Sequence, residues 1–146
     1  MTRLKKFLRK PGADQRLLLL AALLHLFVAA GIRVLPFHWV RRVLDRAAAF
    51  GARDDGGLNA GDRVVQAVRA VAPLLPGANC LTEALVAQCL LARVGCESTL
   101  CFGVSDVRPD ARPFDAHAWL ERGARGVVLG ARATAYATFR HPVRYS

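Results

Sequence analysis

The sequence predicts an α+β fold in which helices come first and a small antiparallel sheet follows. Apolar residues recur at helical spacing as far as Gly95, whereas two later segments, 99–104 and 114–121, alternate between apolar and polar residues. The chain has 146 residues, of which 53% are hydrophobic. That length and composition suit one domain with a hydrophobic core and exclude a disordered basic tail.

The first predicted helix covers about residues 15 to 30, with Asp14 as its N-terminal cap and Gly31 as its stop. It is apolar almost all round, which favours burial. The apolar run 17–32 is shorter than the roughly 20 residues of a membrane span, and it contains His25. We therefore expect a buried or membrane-leaning helix rather than a span or a signal peptide.

A second helix is expected to begin at Pro36, because proline suits the first helical turn. Its apolar stripe comprises Phe37, Val40 and Leu44, and Arg41 is among the arginines on the other side.

Four glycines and two aspartates mark residues 51–61 as a linker. This linker divides a basic helical N-terminal unit, 1–50, from a core, 62–146. Asp62 is the expected cap of the third helix.

A fourth helix is predicted to start at Cys80, capped by Asn79, and to stop at Gly95. Two strands follow, and a turn over 122–125 leads into a third, which predicts a β-hairpin. On the second strand, one face carries Asp115, His117, Trp119 and Glu121.

The net charge of +10 is concentrated early in the chain. Residues 1–70 hold 13 basic and 5 acidic side chains, and residues 71–146 hold 8 and 6. A nucleic-acid interface would carry aromatic residues between the basic ones, and none are interleaved here, so we expect no nucleic-acid partner. A docking surface is the favoured use of the charge, with contact to a membrane surface as a further option.

The four cysteines contain no C-x2-C pair, so the sequence predicts neither a structural zinc site nor any other metal or cofactor. Reduced thiols indicate a cytoplasmic protein, and the apolar first helix leaves membrane association open.

Cys80 and His117 are the candidate catalytic pair. The positive end of a helix dipole favours a thiolate at the first helical turn, as a nucleophilic cysteine requires. An imidazole on a neighbouring strand would complete the Cys–His arrangement of cysteine proteases and transglutaminases. The spacing alone favours the other interpretation, a small core cysteine and a structural histidine, because any chain with several cysteines and histidines offers such pairs. For the oxyanion, the backbone N–H of Cys80 is the favoured donor, with Gln66 or Gln88 as alternatives.

Two segments, PGANCLTEALVAQCLLARVGCESTLCFGV and FDAHAWLERGARGVVLG, closely resemble the leader peptidase of lasso-peptide biosynthesis. This is the transglutaminase-like cysteine protease domain of the microcin-processing family, in its short, split form. The resemblance is carried by Pro76, Cys80-Leu81, Gly95, Gly103-Val104 and the stretch from His117 to Glu121.

The resemblance implies a papain-like core with the catalytic helix packed on a small antiparallel sheet. It implies that Cys80 is the nucleophile and His117 the base of a leader peptidase that needs no cofactor. The implied partners are the leader of the precursor peptide, a small leader-recognition protein and the lasso macrolactam synthetase.

The family places an acid on the strand after the histidine, and this chain departs from that pattern. A simple hairpin register puts Glu121 opposite Gly126 and His117 opposite Gly130, so Leu129 and Gly130 occupy the acid's position.

Asp115 is the candidate orienting acid, about 7 Å from His117 along the strand. Asp106, Asp110, a carbonyl or no group at all remain alternatives. Without the acid, a non-catalytic scaffold of the same fold is the alternative function.

Overall fold

The computed structural model describes residues 12–50, 58–105, 116–123, 127–129 and 136–141. The helices are α1 (Gly12–Val34), α2 (Phe37–Ala49), α3 (Leu58–Val71) and α4 (Cys80–Arg93), and a 3-10 turn, Ala72–Leu74, follows α3. The strands are β1 (Thr99–Ser105), β2 (Ala116–Glu121), β3 (Val127–Leu129) and β4 (Tyr136–His141). The predicted α+β order, helices before strands, is confirmed.

The strands form one antiparallel sheet in the order β3-β2-β1-β4. In its central pair, Gly103 lies opposite His117. The predicted hairpin of β2 and β3 is present, whereas β4, which pairs with β1, was not predicted from the sequence.

The hydrophobic core surrounds α4. Every residue from Ala84 to Leu91 is buried, because α1, α2 and α3 pack around this helix together with β2. From the sheet, Leu100, Ala118 and Leu120 join the same core. Helix α4, which begins with Cys80, therefore packs on a small antiparallel sheet, as expected.

Helix α1 is longer than predicted at both ends. Asp14 lies inside its first turn, where it pairs with Arg63 of α3 instead of capping the helix. Gly31 does not stop the helix, which continues to Val34. Its role is close packing, since a Cβ at this position would lie 3.0 Å from Cγ2 of Val40. The segment Asp14–Val34 is long and apolar enough to cross a membrane, by length and composition, and 33% of its most apolar window is buried.

Helix α3 begins at Leu58, so the expected linker is too long by residues 58–61, and residues 51–57 lie outside the described part. Asp62 lies inside the helix, 3.7 Å from the Arg122 guanidinium, and does not cap it. Gly61 lies inside α3, where the flexible end of the same Arg122 side chain covers the position that a Cβ would take. The division into units 1–50 and 62–146 stays a prediction.

The buried stripe of α2 is Val40, Leu44 and Ala48 rather than the expected one, because Phe37 at the first turn is exposed. Arg41 is not on the outer side, since its Nη1 donates a 2.7 Å hydrogen bond to Oε1 of Gln88 on α4.

Candidate active site

The turn that leads into α4 fixes the position of Cys80. Gly77 has φ +78°, a left-handed conformation that favours glycine. Asn79 and Thr82 then form a reciprocal capping box: Oδ1 of Asn79 accepts from Thr82 N–H, and Oγ1 of Thr82 accepts from Asn79 N–H, both at 2.9 Å. Cys80 is therefore the first residue of a firmly capped helix, as the sequence predicts.

Cys80 is the most accessible of the four thiols. It is partly buried, whereas Cys89, Cys96 and Cys101 are buried. Burial raises the pKa of the Cys89 thiol to about 11, and that thiol donates to the carbonyl of Leu44 at 3.5 Å. Cys89 is thus a core residue, as expected, and Cys80 is the thiol best placed to meet a substrate.

His117 lies in β2 beside two residues that share its face. Its ring stacks on Trp119 with 6.3 Å between the ring centroids and 23° between the planes. Trp119 Nε1 donates a 3.1 Å hydrogen bond to Oε1 of Glu121. The shared face predicted for these three residues is confirmed.

The structure brings together the helix that starts with Cys80 and the strand that carries His117. Ala118 and Leu120 are the β2 residues in the core with α4. Because strand side chains alternate, His117 lies on the opposite face of β2. For a catalytic dyad, the His117 imidazole must therefore reach Cys80, at the N-terminal end of α4, from the face of the sheet that does not pack against this helix.

The predicted hairpin register is wrong. Glu121 lies opposite Val127, and Leu129 lies opposite Leu120 rather than beside His117. A β-bulge between Leu120 and Glu121 shifts the ladder, because it adds a residue to one strand. The described part of β3 ends at Leu129, so the position facing His117 on that side comes later in the sequence than expected.

Asp115, the candidate orienting acid, lies outside the described residues, as do Asp106, Asp110 and Gly130. The role of Asp115 stays a prediction.

Neither glutamine is placed as an oxyanion donor. Gln88 is fully buried, accepts from Arg41 and donates to the carbonyl of Ser98 at 3.4 Å. Its position is about 12 Å along α4 from Cys80, on the helical rise of 1.5 Å per residue. Gln66 is exposed on α3, in a surface depression lined by Asp14 and Arg63. The backbone N–H of Cys80 keeps its assignment as the predicted donor.

Two residues lie near the start of α4: Glu83, which was not singled out from the sequence, and His25, which was expected to be a neutral, hydrogen-bonded histidine of the apolar helix. Burial raises the pKa of Glu83, one helical turn from Cys80, and the charge of Arg69 opposes that rise. His25 of α1 is fully buried, and its Nε2 lies 3.3 Å from Oγ1 of Thr82. The sequence indicates such a contact by a single histidine within an apolar helix, because a buried imidazole needs a polar partner.

Within the described ranges, no group of three or more histidine, cysteine, aspartate or glutamate residues could hold a metal ion.

Comparison with known families agrees with this architecture. The family model of the transglutaminase-like superfamily matches residues 22–143, most of the chain. The chain belongs to this superfamily, in which cysteine-protease activity is common. No curated protein and no solved structure matches it.

Proposed function

We propose that this protein is a cytoplasmic cysteine peptidase that removes the leader from a ribosomally made lasso-peptide precursor. The observation that carries the proposal is the position of Cys80, a partly accessible thiol at the capped start of α4 in a transglutaminase-like domain. The HAWLE segment supports it further as a sequence pattern on β2, which packs against α4 through Ala118 and Leu120. The proposal requires the His117 imidazole, on the other face of β2, to reach Cys80 at the start of α4.

In the proposed reaction, His117 takes the proton of the Cys80 thiol, and the Sγ attacks the scissile carbonyl. The negative charge on the carbonyl oxygen is met by the backbone N–H of Cys80, at the positive end of the helix dipole. The C–N bond then breaks, and the core peptide leaves as an amine that carries the proton from the imidazolium. Water hydrolyses the thioester, which releases the leader and restores the thiol.

The proposed partners follow from the small size of the domain. A chain of 146 residues leaves little room for a separate specificity domain. We therefore assign leader recognition to a small partner protein and cyclisation of the freed amine to a macrolactam synthetase. The basic N-terminal residues are the proposed docking segment for these partners.

The proposal is tested by mixing the purified chain with the precursor and the recognition protein and following leader release by mass spectrometry. Cys80→Ala should abolish cleavage, because it removes the nucleophile. Cys96→Ala, at a buried thiol in contact with Arg122, is the matched control and should keep it. Unimpaired cleavage by Cys80→Ala would overturn the proposal.

A second measurement separates the peptidase from a non-catalytic scaffold of the same fold. Iodoacetamide should modify Cys80 at neutral pH faster in the native chain than in the unfolded chain, because in the proposed reaction His117 takes the proton of the attacking thiol. His117→Gln should slow both the alkylation and the cleavage. A native chain that binds the precursor and the synthetase, but neither cleaves nor reacts faster than the unfolded chain, is a scaffold.

A further inference from the structure

Helix α1 contacts the start of α4 at two places, at Thr82 and at Gly77. His25 Nε2 lies 3.3 Å from the Thr82 hydroxyl. Further along α1, Ala29 and Arg33 lie against Gly77: a Cβ at that glycine would be 2.8 Å from Arg33 Nη1 and 3.2 Å from Ala29 Cβ. The three α1 residues are spaced four apart, so they occupy one side of the helix.

Thr82 transmits this support to the nucleophile. Its side chain is fully buried, and its hydroxyl is hydrogen-bonded to both the N–H and the carbonyl of Asn79, each at 2.9 Å. Asn79 directly precedes Cys80. A shift of the Thr82 hydroxyl would therefore move the peptide that carries the N–H of Cys80 as well as its Cα.

We infer that His25 is a positioning residue for Cys80, acting through Thr82. The inference rests on the proposed function, and it makes α1 part of the active-site framework. His25 does not touch the substrate in this scheme. Its effect is to hold the thiol and the oxyanion N–H in the geometry of attack.

The test compares three variants of the full chain. His25→Leu should lower kcat about tenfold and leave KM within about twofold, because misplacement affects the chemical step more than binding. His25→Gln should restore most of the rate, since its amide nitrogen can take the place of Nε2. His38→Leu, at an exposed histidine of α2, is the matched control and should leave the rate unchanged.

Iodoacetamide alkylation of Cys80 is the second readout, and it needs no precursor. Its rate should fall in His25→Leu and recover in His25→Gln, with melting curves to identify folded samples. If Cys80 of the wild type is alkylated fast but the protein cleaves nothing, the proposed function fails. The alkylation rates of the His25 variants still test the positioning role. If a folded His25→Leu alkylates like the wild type, or His25→Gln is as slow as His25→Leu, the positioning role is wrong.

Arg33→Ala covers the case in which His25→Leu does not fold. Arg33 is exposed, so its removal should not unfold the chain. Loss of its contact at Gly77 should also slow alkylation of Cys80, and an unchanged rate would count against support of the nucleophile by α1.

A second inference rests on the other side of α1. Leu19 and Leu23 are 58% and 57% exposed, and Leu26 and Val34 continue the same stripe at 43% and 81%. Their spacings of four, three and eight residues are close to whole helical turns, which places them along one side of the helix. One side of α1 is thus buried in the core, while the described residues leave the side that carries Leu19, Leu23 and Leu26 uncovered. We call this exposed side the leucine stripe.

The side chains of the two N-terminal helices indicate what covers this stripe. Arg16 is exposed near the start of the stripe. On α2, the Arg42 guanidinium lies 6.0 Å from the ring centroid of the half-exposed Trp39. Leucine, tryptophan and arginine together are typical of helices that lie in the headgroup region of anionic lipid.

We propose that the leucine stripe of α1 binds the surface of an anionic membrane. The helix lies along this surface and does not cross it, because its other side is held in the core through His25 and Thr82. The proposal is independent of the peptidase chemistry, which uses the opposite side of α1.

The test is flotation of the full chain with vesicles of phosphatidylglycerol and phosphatidylcholine. The double variant Leu19→Gln/Leu23→Gln should bind about fivefold less, because burial of apolar area contributes to binding. Leu74→Gln, at a leucine that is 61% exposed in the 3-10 turn, is the matched control and should bind like the wild type. Salt should weaken the wild type's binding.

Three outcomes would overturn the membrane proposal. One is a wild type that stays in the unbound fraction, and another is a double variant that binds vesicles as well as the wild type does. The third outcome is a wild-type dimer that the double variant converts to a monomer in size-exclusion chromatography, which would assign the stripe to a second copy of the chain.

Discussion

Replacing Thr82 by valine measures how much the junction of α1 and α4 contributes to folding. Valine has the shape of threonine, so the fully buried site stays filled and only the hydroxyl is lost. The lost hydroxyl accepts from the N–H of Asn79 and is hydrogen-bonded to Nε2 of His25. The substitution therefore leaves one buried imidazole nitrogen and one helix-cap N–H without their partner.

The expected cost follows from these two groups. A buried polar group left without a hydrogen bond costs about 1–3 kcal/mol. Loss of a capping interaction costs about 1 kcal/mol. We therefore expect Thr82→Val to lower the free energy of unfolding by about 2–4 kcal/mol. Thr82→Ser keeps the hydroxyl and loses one buried methyl, for about 1 kcal/mol.

The assay is urea unfolding of both Thr82 variants, His25→Leu and the double variant His25→Leu/Thr82→Val. The double variant removes both members of the hydrogen bond, so its cost should be below the sum of the single costs by about 1 kcal/mol. Equal costs for valine and serine, or strict additivity in this cycle, would refute the reasoning.

Three further predictions concern burial and ionisation. Leu91→Ala should cost about 3–5 kcal/mol, because its side chain is fully buried in the core, whereas Leu74→Ala should cost below about 0.5 kcal/mol. Burial lowers the pKa of His25 below its ordinary value of 6.5. Its contribution to stability is therefore complete above pH 6.5 and is lost as the pH falls. In His25→Gln, melting temperatures should no longer depend on pH in this way. Iodoacetamide at pH 8 should leave Cys89 unmodified in the native chain, because its pKa is about 11, and modify it after unfolding, as peptide mapping would show.

Local signals account for the parts of the site that the sequence predicted. Asn79 and Thr82 are three residues apart, which is the spacing of a capping box, so the start of α4 at Cys80 follows from adjacent residues. Period-two alternation likewise places His117 and Trp119 on one face.

The errors arose where distant residues decide the structure. Gly31 was expected to stop α1, but it lies against Val40. Gly61 was expected in the linker, but it lies in α3 against the Arg122 side chain. The contact between His25 and Thr82 joins residues 57 positions apart, so no local pattern reveals it. The β-bulge before Glu121 likewise depends on the pairing of β2 with β3.

The place of β4 in the sheet has a consequence for the order in which the protein is completed during synthesis. The four helices are contiguous in sequence, so they can assemble while later residues are still being translated. β1 has β2 on one side and, on the other, the last strand of the four, which pairs through His141. Until that residue has emerged, β1 presents an open edge to other nascent chains. The thiol-bearing helix can thus form before the sheet that carries the imidazole, in which β1 gains its second neighbour only once β4 has been translated.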